Sequence, residues 1–292
     1  MREEAGFEIG PLKESDLPSA LHLETLAQWN QTEGDWRRVM ALDARGCFGA
    51  FMAGRLIGTI TTAAYATELA WIGMVLVDPD YRRRGIATRL MSVALNYAQA
   101  AGLATIKLDA TREGRPLYEA LGFISESVIE RWERTPDGTP SDRVPSRGVL
   151  PLDQSTQDAV FALDRLAFGS DRSKLLDSLI EDSCCQPLVT IGSGERSLGG
   201  YALARRGRRA SYIGPLIAVD EPAALTLLDA MLHQLKDQKV YIDLNAGFAS
   251  GAKSLADRRF VKQRDLIRMR FGKDSSGGTS NLVFGIAGPE LG

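Results

Sequence analysis

The chain has 292 residues, 44% of them hydrophobic, and a formal net charge of −2. That length suits one large domain or two ordinary ones, and the composition is that of a packed globule rather than a disordered chain. So small a net charge sets up no bulk field toward nucleic acid or an anionic membrane, and no apolar run approaches the roughly 20 residues of a membrane span.

The start, MREEAGFEIGPL, has no apolar signal core, so a cytoplasmic protein is expected. Cys47, Cys184 and Cys185 make no disulfide framework, and with only His22 and His233 neither a zinc site nor a histidine mechanism is expected.

In chain order, Phe7 to Leu12 reads as a strand, followed by helices over Asp16 to Ala27 and Trp29 to Leu42. Cys47 to Ala53 and Arg55 to Ala64 read as two strands joined around Gly54-Arg55. Leu69 to Val77 is the next strand, stopped by Asp78-Pro79-Asp80 because Pro79 cannot donate to a ladder. Arg82-Arg83-Arg84-Gly85-Ile86-Ala87 then leads into a helix whose Leu90, Val93, Ala94 and Tyr97 share one face, with Gly102 as its stop. Thr105 to Ala110 reads as a strand, Arg115 to Leu121 as a short helix closed by Gly122, and Phe123 to Trp132 as a strand.

A strand, a glycine-containing turn and a helix start make a ready anion site. The first N–H groups of a helix have no internal partner, and the dipole adds partial positive charge there. Gly85 and Ala87 let a ligand approach the backbone, and three arginines supply countercharge. The expected ligand is a phosphate or diphosphate. A Rossmann site fits poorly, since one glycine stands where that fingerprint needs three.

Arg82-x-x-Gly85-x-Ala87 after the strand, with Leu117-Tyr118-Glu119-Ala120-Leu121-Gly122-Phe123 downstream, resembles the GNAT acetyltransferase superfamily over about residues 5–134. Beyond the turn-rich stretch Thr135 to Ser141 the plan recurs. Helices read over Asp158 to Ala167, Asp171 to Glu181 and Ala223 to Lys236. Strands read over Pro187 to Ile191, Gly199 to Arg205, Ala210 to Val219 and Val240 to Asn245. Ile213-Gly214 echoes Ile72-Gly73, and Arg259-Phe260 echoes Gly122-Phe123. Asp220-Glu221-Pro222-Ala223 stands at the phosphate-loop place without arginine or glycine, and Leu255 stands where Tyr118 does.

The expected fold is therefore α/β (α+β), two tandem GNAT-like domains, each a mixed, mostly antiparallel twisted sheet flanked by helices. The expected divisions are 1–134, catalytic and acetyl-CoA-binding; 135–148, linker; 149–272, a degenerate copy; and 273–292, a flexible segment with a docking arm over Asn281 to Ala287.

The resemblance implies acetyl-CoA as co-substrate, with no metal. It implies a coenzyme site of Met74, Val75 and Val77 on the strand, Arg82, Arg83, Arg84, Gly85, Ile86, Ala87 and Thr88 in the phosphate loop, and Thr111 near the arm. The Val75 N–H would face the thioester oxygen. Tyr118 is the implied acid. A phenol of ordinary pKa about 10 can protonate a thiolate whose acid has pKa about 8.5 when both are held close. Glu68 ranks first as base, with Glu24, Glu33 and Asp109 behind it and no base at all an open alternative. Trp29, Trp36, Tyr65 and Trp71 are the expected acceptor wall. Arg205-Arg206-Gly207-Arg208-Arg209 reads as a solvated hairpin turn.

The expected function is N-acetyl transfer to a primary amine, favouring a small molecule or amino acid, by direct attack in a ternary complex. The alternatives are a non-catalytic acyl-CoA sensor and a protein N-acetyltransferase. No nucleic-acid or membrane partner is expected, and a homodimer is compatible with the sequence.

Overall fold

A computed structural model describes residues 6–67, 69–136, 148–192, 197–248, 250–273 and 277–292. The first half runs β1 (Glu8–Pro11), α1 (Leu17–Ala27), α2 (Glu33–Asp43), β2 (Phe48–Met52), β3 (Arg55–Tyr65), β4 (Leu69–Val77), α3 (Ile86–Ala100), β5 (Thr105–Ala110), α4 (Arg115–Ala120), β6 (Ile124–Arg134). The second repeats the order: β7 (Val149–Pro151), α5 (Gln154–Phe168), α6 (Ser173–Glu181), β8 (Leu188–Ile191), β9 (Leu198–Arg205), β10 (Ser211–Ala218), α7 (Glu221–Gln234), β11 (Val240–Asn245), α8 (Gly251–Ala256), β12 (Val261–Gly272). A short β13 (Val283–Gly285) follows. Of the linker expected over 135–148, residues 137–147 lie outside the described residues.

Two local corrections matter for the site. The helix expected from Trp29 begins at Glu33, because Thr32 and Asp35 close a reciprocal cap: the Asp35 N–H donates to the Thr32 hydroxyl, and the Thr32 N–H donates to the Asp35 carboxylate at 2.8 Å. Trp29 to Gln31 are thereby released as a loop. The β2–β3 turn is made by Ala53 and Gly54 rather than Gly54-Arg55. Both have positive φ, 48° and 77°, as a two-residue hairpin turn requires.

The two halves share one sheet of 13 strands, ordered β1-β2-β3-β4-β5-β12-β6-β11-β13-β10-β9-β8-β7. Pairing is antiparallel except between β4 and β5 and between β10 and β11. The centre is a reciprocal exchange. β12 of the second half lies between β5 and β6 of the first, and β6 lies between β12 and β11. β6 and β12 are long, 11 and 12 residues, so each can pair on both edges across the joint.

On one face, α3 covers the first half through Leu90, Met91 and Ala94 against Ile57, Ile72 and Ile106. On the same plan α7 covers the second through Leu227, Leu228 and Met231 against Ile213 and Ile242. On the other face α1, α2, α5 and α6 close over a single core that includes Trp36, Trp71, Leu175, Tyr201, Leu266, Ile286 and Leu291. Residues from both halves and from the end of the chain thus meet on one side of the sheet. No helix among the described residues is long and apolar enough to cross a membrane.

Candidate active site

The site begins with a break in β4. Its register with β3 shifts between Thr59 and Thr61, Met74 takes a positive φ of 50°, and the Thr59 hydroxyl donates to the Met74 carbonyl at 2.8 Å. Parallel pairing with β5 is confined to Leu69–Trp71 against Thr105–Lys107. Beyond Trp71 the strands part, and the β5-facing edge of β4 is left without a strand partner among the described residues. An extended ligand can add there as a strand would.

The β4 end points at the N-terminus of α3. Gly85 caps that helix at φ 77°, and no side chain satisfies its first N–H groups. The loop before it is shaped from below. The buried Asp78 carboxylate accepts from Arg55 at 2.8 Å and from the Asp80 N–H at 3.0 Å. Arg82 donates to the Val77 carbonyl at 3.2 Å. The result is an anion cradle of free amides beside a free strand edge.

The second half has the same skeleton with both features closed. β10 and β11 pair at Ser211–Ile213 and then part, but β13 enters the gap and pairs with each. The start of α7 is capped by its own Asp220, which accepts from the Ala223 N–H at 2.9 Å. The Tyr118–Leu255 correspondence holds in the backbone: Phe123 N–H donates to the Tyr118 carbonyl at 3.0 Å, and Phe260 N–H to the Leu255 carbonyl at 3.0 Å. Gly122 and Arg259 share the positive φ between them.

A cavity of about 560 Å³ runs from the cradle along β4 to the opposite face of the sheet. Met74, Val75, Val77, Arg82, Arg83, Gly85, Ile86, Ala87, Thr88, Thr111 and Tyr118 all stand on its wall. Arg84 does not. It stacks on Tyr81 at 5.1 Å and donates to the Asp80 carbonyl, so its charge serves the loop rather than the cavity. Tyr118 is held edge-on against Phe123, and burial pushes its phenol up to about 12.

The acceptor face differs from expectation. Trp29 lines the cavity. Trp36, Tyr65 and Trp71 do not: Trp36 is fully buried in the α1–α2 core, and the other two are covered by the arm Ile286 to Gly292. The Tyr65 hydroxyl donates to the Leu291 carbonyl at 2.8 Å, and the Trp71 indole to the Pro289 carbonyl at 2.9 Å. Arg172 holds the Gly292 oxygen at 2.8 Å. The arm in turn brings Pro289 and Glu290 onto the cavity wall, with Gln31 beside them.

Glu68 lies outside the described residues. Glu24 is buried away from the cavity, Glu33 is exposed and paired with Arg37, and both oxygens of Asp109 are taken by Arg268 at 2.9 Å. The cluster Arg205 to Arg209 is the turn between β9 and β10 with Arg206, Arg208 and Arg209 exposed, as expected, but Arg205 departs from it. Arg205 is buried and bonds Asp35 at 2.9 Å and Glu290 at 2.8 Å. Arg208 donates to the Leu21 carbonyl and Thr25 hydroxyl, and Arg209 to the Gln28 carbonyl, so two cations sit at the C-terminal end of α1. Cys47 is buried, donates to the Asp43 carbonyl, and burial pushes its thiol up to about 12.

Sequence reasoning missed Gln31, Arg131, Arg264, Leu266, Pro289 and Glu290 on the cavity. All but Gln31 belong to the second half or the arm, or depend on the exchange of β6 and β12, for which no local pattern speaks.

A GNAT acetyltransferase family model matches residues 14–123, and a second acetyltransferase (GNAT) domain model matches residues 160–285. The uncharacterized N-acetyltransferase YitH of Bacillus subtilis (strain 168) is 29% identical over 220 residues, 75% of this chain and 71% of its own. The ribosomal protein bS18 alanine N-acetyltransferase of Escherichia coli (strain K12) is 26% identical over 141 residues, 44% of this chain and 89% of its own. A Pyrococcus horikoshii chain provisionally described as an acetyltransferase superposes with a TM-score of 0.83 at 23% identity, covering 99% of this chain and 96% of that one. A tandem GNAT protein from the clavulanic acid biosynthesis pathway does so with a TM-score of 0.67 at 14% identity, covering 94% and 99%. At such identities the two structures speak for the fold, while the paired family models and the sequence relatives speak for the activity. The chain belongs to the GNAT family of acetyl-CoA-dependent N-acetyltransferases, in its tandem form.

Proposed function

We propose that the first half binds acetyl-CoA and transfers the acetyl group to a primary amine of a small molecule or amino acid, by direct attack within a ternary complex. The observation that carries this is the meeting of three features on one cavity wall. They are the uncapped start of α3, the free edge of β4 at Met74 to Val77, and Tyr118. Amides from Arg83 to Thr88 take the diphosphate. The β4 edge takes the pantetheine arm, and the Val75 N–H takes the thioester oxygen as charge develops.

The neutral amine forms the new N–C bond as the C–S bond breaks. The thiolate takes a proton from Tyr118, the nitrogen gives its extra proton to solvent, and solvent returns one to the Tyr118 phenolate. The arm and the Trp29 loop close the opposite side, which suits a small acceptor.

A second reading, transfer to a peptide N-terminus, draws on the relatives that act on the alanine of bS18. The test is release of free CoA from acetyl-CoA by the purified protein over a panel of amines, amino acids and short peptides. Turnover with small amines and not with peptides is expected. Turnover confined to peptides would favour the second reading. Binding of acetyl-CoA without turnover of any acceptor would defeat both.

A further inference from the structure

The acceptor side of the cavity holds one guanidinium that the fold does not use. Arg264 is on β12 and stands directly opposite Arg131 of β6 in the antiparallel register. Like charges opposed across a ladder destabilise it, so the arrangement costs stability without a structural return. Arg131 is relieved by Asp243, which accepts from it at 2.7 and 2.6 Å. Arg264 is exposed and makes no hydrogen bond or ion pair among the described residues. Desolvation and the charge of Arg131 push its pKa down, against the charges of Asp243 and Glu113, which act the other way.

Its orientation follows from the strand. Leu266 belongs to the core shared with Trp71 and Ile129, and Arg268 stacks on Trp71 at 4.6 Å. Met269, beyond a register shift, belongs to the core under α3. Arg264, Leu266 and Arg268 therefore share the face of α1, α2 and the arm, opposite the face of α3. Two further arginines on that face are spoken for, and the exposed Arg206 lines a separate small pocket. Arg268 is held by Asp109, and Arg205 by Asp35 and Glu290. The exposed Glu113, on the loop before α4, also lines the cavity.

We infer that the acceptor amine carries a carboxylate of its own, received by the free Arg264 guanidinium at the acceptor face of the cavity. A planar fork matches a carboxylate with two parallel hydrogen bonds, and on the acceptor side of the cavity wall the other guanidinium, Arg131, is already held by Asp243. The inference rests on the acetyl transfer proposed above.

The experiment measures acetyl-CoA turnover with matched pairs, each an amino acid and its amide, together with β-alanine and O-phosphoethanolamine. The free acids are expected to exceed the amides in kcat/KM by about tenfold or more, because a site built for a charged group rejects the analogue lacking it. In Arg264→Gln this ratio should collapse toward one through a raised KM for the acids, and Arg264→Lys should fall between. Thermal unfolding and acetyl-CoA affinity of each variant show whether the fold and coenzyme site survive. Equal use of acids and amides, a phosphate preferred to the carboxylate, or an undiminished ratio in Arg264→Gln would overturn the inference while leaving acetyl transfer intact. Absence of turnover with every amine would overturn both.

Discussion

Gly73 and Glu290 touch through their backbones: a Cβ built on Gly73 would come within 2.8 Å of the Glu290 Cα and 3.0 Å of its carbonyl oxygen. The echo residue in the second half, Gly214, lies in the same way against the Ile286 carbonyl. One arm therefore crosses both strand breaks, meeting the equivalent glycine of each. In the second half it arrives as β13 and fills the gap. In the first it lies alongside β4 and leaves the β5-facing edge open.

Gly73→Ala should force the arm off β4, because the clash is with backbone and not with a side chain that can swing away. Overpacking of this kind costs about 1–3 kcal/mol. A lower unfolding midpoint is expected, with a raised acceptor KM and little change in acetyl-CoA affinity. A destabilised variant whose acceptor KM is unmoved would remove the arm from the acceptor wall.

Tyr118→Phe should lower kcat by about a hundredfold, the low end of general-acid catalysis, and leave acetyl-CoA affinity close to wild type. Because burial pushes the phenol up to about 12, it stays protonated through the working range. The rate should show no alkaline limb from this group between about pH 7 and 10. The same burial makes the phenol a weaker acid than free tyrosine, so its service depends on the thiolate forming in the same desolvated cavity. An unchanged kcat in the variant would end the acid role.

Glu24 makes a different pH prediction. Neither of its carboxylate oxygens, nor the Trp36 indole N–H, has a hydrogen-bond partner among the described residues. Burial pushes its pKa up to about 8, with Asp35 and Glu290 adding to the rise. At pH 4 the carboxyl is protonated in the folded chain and largely so in the unfolded one, and little is lost. Between the ordinary value of 4.5 and about 8 the unfolded chain ionises first, so stability falls as pH rises. The ceiling on this loss is about 4–5 kcal/mol. Glu24→Gln should therefore unfold at a higher temperature than wild type at pH 8.5 and at nearly the same temperature at pH 4. A difference independent of pH would mean that Glu24 is already ionised in the folded protein.

The cavity wall proposed for the coenzyme was legible as structure because its signals are local: an apolar strand, a proline stop, a glycine turn and an amphipathic helix lie within one short stretch. The repeat was legible for the same reason, down to the Tyr118–Leu255 register. The acceptor side was not. Tyr65 and Trp71 look like pocket aromatics by composition, and what covers them comes from far along the chain: the arm, 226 and 218 positions on, with Phe168 against both rings. The strand exchange is equally silent: β6 reads as an ordinary strand whichever partner it takes, and β12 is not read as a strand at all. The helix misplaced at Trp29 is the exception. Its Thr32-x-x-Asp35 cap is a local signal, and it frees the one tryptophan that does reach the cavity.

The closing of the second half makes a stoichiometric prediction. Titration calorimetry should find one acetyl-CoA per chain. Gly85→Glu should reduce that to none, for two reasons. Gly85 sits at φ 77°, where an L side chain costs about 1–2 kcal/mol, and a carboxylate at that cap would occupy the N–H groups the diphosphate needs. Asp220 already does this to α7. Yet Asp220→Gly should not create a second site, because β13 still pairs with β10 and β11 where the pantetheine arm would lie. A second binding event in Asp220→Gly would show that the carboxylate cap alone keeps the second half empty, and that β13 yields to the coenzyme.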